Sequence, residues 1–283
     1  MSFVSANGLS LHVETFGRAD DAPLLLIAGL GAQCINYPDP WCAQFADLGL
    51  FVVRFDNRDI GLSDRFDGEY TLADMADDAV GVLDALGLDS AHVWGSSMGG
   101  MIAQTMAITS PQRVRSLISV QSTPGDPSVG QSDPEALAAI ISTFAPAADR
   151  SAAIDAAVEL SRVLINNNDD VFDRQLQVER AEAAYDRSSD RSGVARQAGA
   201  VIGATDRSAG LAALDVATLV IHGNRDPLID ISGGRRTAEL VPNARFVEVD
   251  GMGHDLTPCF WQVFTDAVAE HLRTIEPALG SRA

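Results

Sequence analysis

Hydrophobic and polar positions alternate strictly at the start of the chain and then change period several times. Leu9, Leu11 and Val13 alternate with Ser10, His12 and Glu14, and Phe3-Val4 precedes them across Asn7-Gly8. Asn-Gly between two such runs predicts a β-hairpin. Its polar side would place His12 in solvent. The run at 24–27 is instead apolar at every position, as a strand covered on both faces of a parallel sheet is, and 51–55, 91–94, 114–120, 218–221 and 245–249 read as further strands. Helical spacing separates them. Leu72, Met75, Ala79, Val82, Leu83 and Leu86 recur on one face after the capping-box sequence Thr71-Leu72-Ala73-Asp74, and Gly87 gives the stop. Residues 41–49, 101–110, 235–240 and 261–274 read as further helices.

Between about 121 and 206 the strand-like runs vanish. Helices are predicted at 134–144, 151–164, 171–185 and 194–202, broken by Pro146, Asn166-Asn167-Asn168 and a polar stretch at 187–193. Strand–helix alternation that is interrupted once and then resumes predicts an α/β fold. Its mostly parallel central sheet would be flanked by helices and carry one inserted helical cap. The expected division is a core of residues 1–120 and 207–283 with a cap of residues 121–206.

Composition narrows the function. The 283 residues are 46% apolar and 21% charged, the balance of a globular protein with a substantial core. Twenty basic residues against 39 acidic ones give a net charge of −19, which would repel nucleic acid and anionic membranes. No apolar window reaches the length of a membrane span. The start of the chain lacks the pattern of a secretion signal, and Cys34, Cys42 and Cys259 have no paired spacing. These features predict a cytoplasmic protein. The five histidines, His12, His92, His222, His254 and His271, never fall at metal-ligand spacing, so neither metal nor cofactor is expected. The expected partner is a small-molecule substrate.

The candidate chemistry centres on Gly95-Ser96-Ser97-Met98-Gly99, which follows an apolar run and precedes a helical pattern. Ser97 is the serine centred between the glycines of a Gly-x-Ser-x-Gly turn, a strand-to-helix elbow that lifts a hydroxyl clear of a sheet. A serine hydroxyl needs a base with a pKa near neutrality, and the imidazole needs a carboxylate on its far nitrogen. In open parallel sheets, ligands gather at the carboxyl ends of strands. Four informative loops follow predicted strands: Gly29 to Gly31, Ser97, Asp226 and His254. Asp226 is favoured over Asp215, Asp230 and Asp250 because it falls just past a buried strand and before Pro227. His254, in a Gly-rich loop, is favoured over His271, which lies beside Glu270 and Arg273 on what reads as a solvated helix face. His222 reads as a packed, hydrogen-bonded histidine, and Asp56 as a carboxylate binding backbone amides in a turn. The Met98 amide at a helix start and a second amide from the glycine loop could receive an oxyanion. Gly29 and Gly31 would let that loop approach a substrate.

Four motifs, Arg-Phe-Asp-Asn-Arg-Asp-Ile-Gly-Leu-Ser (54–63), Gly-Ser-Ser-Met-Gly-Gly (95–100), His-Gly-Asn-Arg-Asp-Pro (222–227) and Gly-Met-Gly-His (251–254), make the chain resemble the α/β-hydrolase fold superfamily over almost its full length. The likeness is greatest to the aclacinomycin methylesterase-like serine esterases. It implies a cofactor-free carboxylic-ester hydrolase with Ser97 as nucleophile, Asp226 as acid, His254 as base, and Leu30 and Met98 as the oxyanion amides. Many members carry His-Gly in the first glycine loop, where this chain has Ala28-Gly29. Lactone or C–C bond hydrolysis, cofactor-free lyase or perhydrolase chemistry would use the same residues, and a non-catalytic receptor on this scaffold is the reading from another class. Haloalkane dehalogenation is disfavoured, since it uses aspartate at the position of Ser97.

Overall fold

The computed structural model describes residues 2–276. Eight strands form one sheet: β1 (Ser2–Ala6), β2 (Leu9–Phe16), β3 (Ala22–Ile27), β4 (Leu50–Phe55), β5 (Ala91–Ser96), β6 (Val114–Val120), β7 (Thr218–Gly223) and β8 (Arg245–Val249). Their spatial order is β1-β2-β4-β3-β5-β6-β7-β8, antiparallel for the first two pairings and parallel thereafter. Among the described residues ten α-helices accompany them: α1 (Asp39–Asp47), α2 (Leu72–Ala85), α3 (Met98–Thr109), α4 (Pro134–Ser142), α5 (Arg150–Leu164), α6 (Arg174–Arg187), α7 (Val194–Ile202), α8 (Ser208–Ala212), α9 (Ser232–Leu240) and α10 (Trp261–Arg273). Helices α4 to α8 all fall between β6 and β7. Among the described residues no helix is long and apolar enough to cross a membrane.

The continuous apolar run has the physical cause expected of it. Leu25 and Ile27 of β3 pack with α2 and α3, while Leu24 and Leu26 pack with α1 and α10 on the opposite face. Both faces are covered, so every position of the run is buried. Under the end of β5, Trp94 meets Trp41 edge-on at 5.7 Å between ring centroids, and Trp41 stacks on Trp261 at 5.3 Å. Local signals also act as expected. Asn7 and Gly8 both take positive φ, 50° and 79°, as a tight hairpin turn requires. Thr71 and Asp74 exchange side-chain and backbone hydrogen bonds in a capping box. Helix α6 starts later than its apolar pattern suggests, at Arg174, because the Asp173 carboxylate caps it through the Leu176 amide.

Two histidines lie elsewhere than their local patterns predict. His12 is fully buried, because β2 is an interior strand and residues of the inserted helices cover its outer face. His271 is also buried, close to His92 of β5, where α10 lies against the sheet. Burial and the neighbouring charges push its pKa down to about 4.

The tightest packing surrounds the turn from β5 to α3. A Cβ on Gly95 would overlap the Gly99 carbonyl oxygen, and one on Gly99 would overlap the Ile27 carbonyl oxygen. Neither neighbour is a flexible side-chain end. Gly95→Ala or Gly99→Ala is therefore expected to cost about 3 kcal/mol or more in urea unfolding, at the upper end of overpacking effects. Gly87→Ala, whose Cβ meets nothing within 4 Å and carries only the strain of φ +69°, should cost about 1 kcal/mol. Equal effects at these positions would contradict the steric account.

Candidate functional site

Ser97 sits between β5 and α3 with φ 58° and ψ −122°, a conformation a non-glycine residue adopts only when its surroundings impose it. Its amide donates to the Val120 carbonyl at 2.9 Å, and its carbonyl accepts from the Gly100 amide and the Ser122 hydroxyl, each at 2.9 Å. These bonds anchor the turn to β6 and to the first turn of α3. The Ser97 hydroxyl lies 2.9 Å from His254 Nε2, and His254 Nδ1 lies 2.7 Å from Asp226 Oδ2. Three loops, after β5, β7 and β8, have converged on one sheet edge, where the sequence predicted the site.

Asp226 is almost wholly buried yet strongly solvated by protein. Its Oδ1 accepts from the amides of Leu228 and Ile229 at 2.9 and 2.8 Å. Its Oδ2 faces His254 and, at 3.2 Å, His222 Nε2. Burial raises the carboxyl pKa, but the His254 charge and the hydrogen bonds from His222 and His254 outweigh it, bringing it to about 2. An ionised Asp226 requires a proton on His254 Nδ1. His254 Nε2 then presents its lone pair to the Ser97 hydroxyl. His222 Nε2 also lies 2.8 Å from the Ile229 carbonyl, and its Nδ1 has no hydrogen-bond partner among the described residues. Two oxygens on one nitrogen place the His222 proton on Nε2. His222 is thus packed and hydrogen-bonded, as expected, and it also holds the carboxylate, a role its strand-end position did not reveal.

The glycine loop after β3 passes directly over the serine. A Cβ on Gly29 would come within 3.2 Å of the Ser97 Cβ and 3.8 Å of its hydroxyl. The Gly31 amide donates to the Gln197 side-chain oxygen at 2.9 Å. Met98 is the first residue of α3, so its amide belongs to the unsatisfied start of a helix. Leu30 follows Gly29 in that loop, and Met98 follows Ser97 at the start of α3.

Asp56 makes no hydrogen bond or ion pair with Ser97, Asp226 or His254 among the described residues. Its carboxylate accepts from the amides of Cys34 and Leu62 at 2.7 and 2.9 Å, as the turn chemistry predicts. It also pairs with Arg187, at the end of α6, at 2.8 Å. His12, Cys34 and Asp56 cluster closely enough to suggest a metal site, but the Arg187 guanidinium already supplies the cation there. It contacts His12 Nδ1 at 2.9 Å and Cys34 Sγ at 3.4 Å. Since arginine only donates, that His12 nitrogen is unprotonated, and burial lowers the His12 pKa further. Burial and Asp56 together raise the Cys34 pKa far above neutrality, so it remains a thiol. Arg187 is the first residue of the polar stretch that read as a break between helices, and nothing in its neighbours marks it. A cavity of about 520 Å³ lies at the other end of the sheet, beside Thr218, Arg245 and His271.

A family model for the α/β hydrolase fold matches residues 22–257. The rhodomycin D methylesterase DauP of Streptomyces sp. (strain C5) is 29% identical, with 95% of this chain and 97% of the relative covered. A 2-hydroxymuconate semialdehyde hydrolase of Pseudomonas putida is 30% identical over 84% of this chain and 82% of its own. The crystal structure of a hydrolase from Pseudomonas aeruginosa PA01 superposes with a TM-score of 0.76 at 29% identity, covering 96% of this chain and 97% of that one.

Two measurements test the electrostatics. Removing the guanidinium in Arg187→Met strands the buried Asp56 carboxylate and should cost about 3 kcal/mol in urea unfolding. Arg150→Met, which breaks exposed pairs with Glu182 and Asp186, should change little. A small loss at Arg187 would mean that Asp56 is held by its amides alone. Because the folded pKa of Asp226 is depressed, its contribution is complete above the ordinary carboxyl range near 4 and is lost as pH falls through about 2. The stability gap between wild type and Asp226→Asn, roughly 2 kcal/mol from this source, should narrow as pH is lowered from 5 toward 2. A gap that does not move with pH would exclude the charge as its origin.

With its sheet order, its elbow serine and its matched relatives all in agreement, the chain belongs to the α/β-hydrolase fold family.

Proposed function

We propose that the protein is a serine hydrolase that cleaves a carboxylic ester of a small, mainly apolar molecule through an acyl-enzyme. The observation that carries the reading is the unbroken relay from Ser97 Oγ to His254 Nε2 at 2.9 Å and from His254 Nδ1 to Asp226 Oδ2 at 2.7 Å. Ser97 attacks the ester carbonyl carbon while its proton passes to His254 Nε2. The imidazolium so formed is stabilised by Asp226, which stays ionised. The carbonyl oxygen becomes an oxyanion and receives the amides of Leu30 and Met98. As the tetrahedral intermediate collapses, the alkoxide leaves with the proton from His254. A water molecule, deprotonated by the same imidazole, then attacks the acyl-enzyme and releases the acid and free Ser97. Apart from the ester and the water, every group in these steps belongs to the chain itself.

Residues 121–206 would form the cap, with 1–120 and 207–283 as the core. In support, α4 is tethered to the loop that carries Asp226, through the Asp133 amide on the Pro227 carbonyl at 2.7 Å. Leu137 and Ile141 of α4 are exposed apolar side chains, which suits an apolar substrate part. The methylesterase name of DauP favours a small alcohol on the ester. A second reading keeps the triad and changes the bond: the 30% identity to a semialdehyde hydrolase favours C–C or lactone cleavage as the alternative. A receptor role is opposed by the intact relay.

Turnover of p-nitrophenyl acetate should fall at least about 10⁴-fold in Ser97→Ala, with the circular dichroism spectrum unchanged. Undiminished turnover in that variant would sink the proposal. Product analysis across esters, lactones and β-diketones separates the two bond types, and preference for the latter two would install the second reading.

A further inference from the structure

The loop that passes over Ser97 carries two neighbouring amides that could face a substrate, Leu30 and Gly31. The second is already taken. Gln197 of α7 is fully buried, and its Oε1 accepts the Gly31 amide at 2.9 Å. Its Nε2 donates to the Arg58 carbonyl at 2.8 Å. A donor on one side and an acceptor on the other fix which way the carboxamide points. Neither end can rotate without stranding a buried group.

Both supports of this side chain are rigid. Arg58 makes a two-point contact with the buried Asp78 at 2.6 and 2.7 Å. Helix α7 is pinned one residue earlier, where Arg196 grips both oxygens of Asp59 at 2.8 and 2.7 Å. Asp59 holds φ at +72°, a conformation that glycine would take at less cost. Gly193, just before α7, packs so closely on Asp59 that a Cβ would overlap it. The Gly31 carbonyl also lies 3.4 Å from Arg191 Nη1. Residues 191–197 thus contact Gly31 from both sides.

We propose that Gln197 is a positioning residue for the reaction: by holding the Gly31 amide it fixes the Leu30–Gly31 peptide plane, and through the φ and ψ of Leu30 it constrains the adjoining Gly29–Leu30 plane, whose N–H is the Leu30 amide, toward the reacting carbonyl oxygen. This rests on the reading of Leu30 and Met98 as the oxyanion donors. Its consequence is that the inserted helices complete the catalytic geometry even for a substrate too small to touch them. Stabilisation of a developing oxyanion depends on donors fixed in advance, and one misdirected donor is costly.

The test compares wild type, Gln197→Met, Gln197→Glu and Arg65→Met on p-nitrophenyl acetate. Arg65 also ties the core to this segment, through Asp190 at 2.9 Å, but it does not touch the glycine loop. Gln197→Met should lose about 10- to 100-fold in kcat with KM within about twofold, and a trifluoromethyl ketone, which binds as an oxyanion, should weaken by a similar factor. Arg65→Met should stay within about twofold of wild type in both. Gln197→Glu can make both hydrogen bonds only as the neutral acid, so its kcat relative to wild type should rise as pH is lowered, which serves as the test even if Gln197→Met does not fold. A folded Gln197→Met with wild-type kcat and inhibitor affinity, or a Gln197→Glu ratio flat with pH, would overturn the proposal. Ser97→Ala run alongside separates the two failures: if it remains active the serine mechanism itself is wrong, whereas an inactive Ser97→Ala beside an unimpaired Gln197→Met rejects only the role of Gln197.

Discussion

The turn between β5 and α3 must bring a strand end, a helix start and a neighbouring loop into one small volume. Gly95 and Gly99 permit it because neither brings a Cβ into backbone already in contact. The strain falls on Ser97, whose φ of 58° is held by bonds to β6 and α3. Everything else at this edge is placed with respect to that fixed point. The aromatic group of Trp41, Trp94 and Trp261 fills the space beneath it, so the strained turn rests on dense packing that resists relaxation.

Around this point the molecule uses arginine to join its parts. All 20 basic residues are arginine, and lysine is absent. Where the inserted helices meet the sheet, Arg187 pairs with Asp56 and Arg196 with Asp59. A planar guanidinium with five donors can satisfy a buried carboxylate and neighbouring acceptors together, which an ammonium cannot. In a chain with net charge −19, these pairs also remove carboxylates from mutual repulsion. The acidic excess is left on the surface, where water screens it.

How far the sequence reveals this depends on the range of the signal. Ser97, Asp226 and His254 are legible as candidates because each lies in a loop that follows a strand, buried for β5 and β7 and at the sheet edge for β8, and the parallel sheet delivers all such loops to one edge. Asp56 is legible because its turn is local. His12 and His271 are misread for the opposite reason: alternation and helical phase describe the face a residue occupies, and cannot tell what covers that face. Arg187, Gln197 and the link from His222 to Asp226 leave no mark in their neighbours. The first two are contacts across more than a hundred residues of chain, and the third arises from how a loop folds back on its own strand.

The backbone beside the imidazole of His254 limits how such a protein can diverge or be rebuilt. A Cβ on Gly253 would come within 2.6 Å of Ile165 Cα, and the His254 amide donates to the Leu164 carbonyl at 2.7 Å. The end of α5 is therefore spliced to the backbone that presents the imidazole, as α7 is to the glycine loop. An exchange of helices between relatives would transplant cleanly only if its boundaries spared residues 164–165 and 187–197. The segment 134–163, free of these attachments, is where new substrate preferences could accumulate without disturbing the machinery beneath.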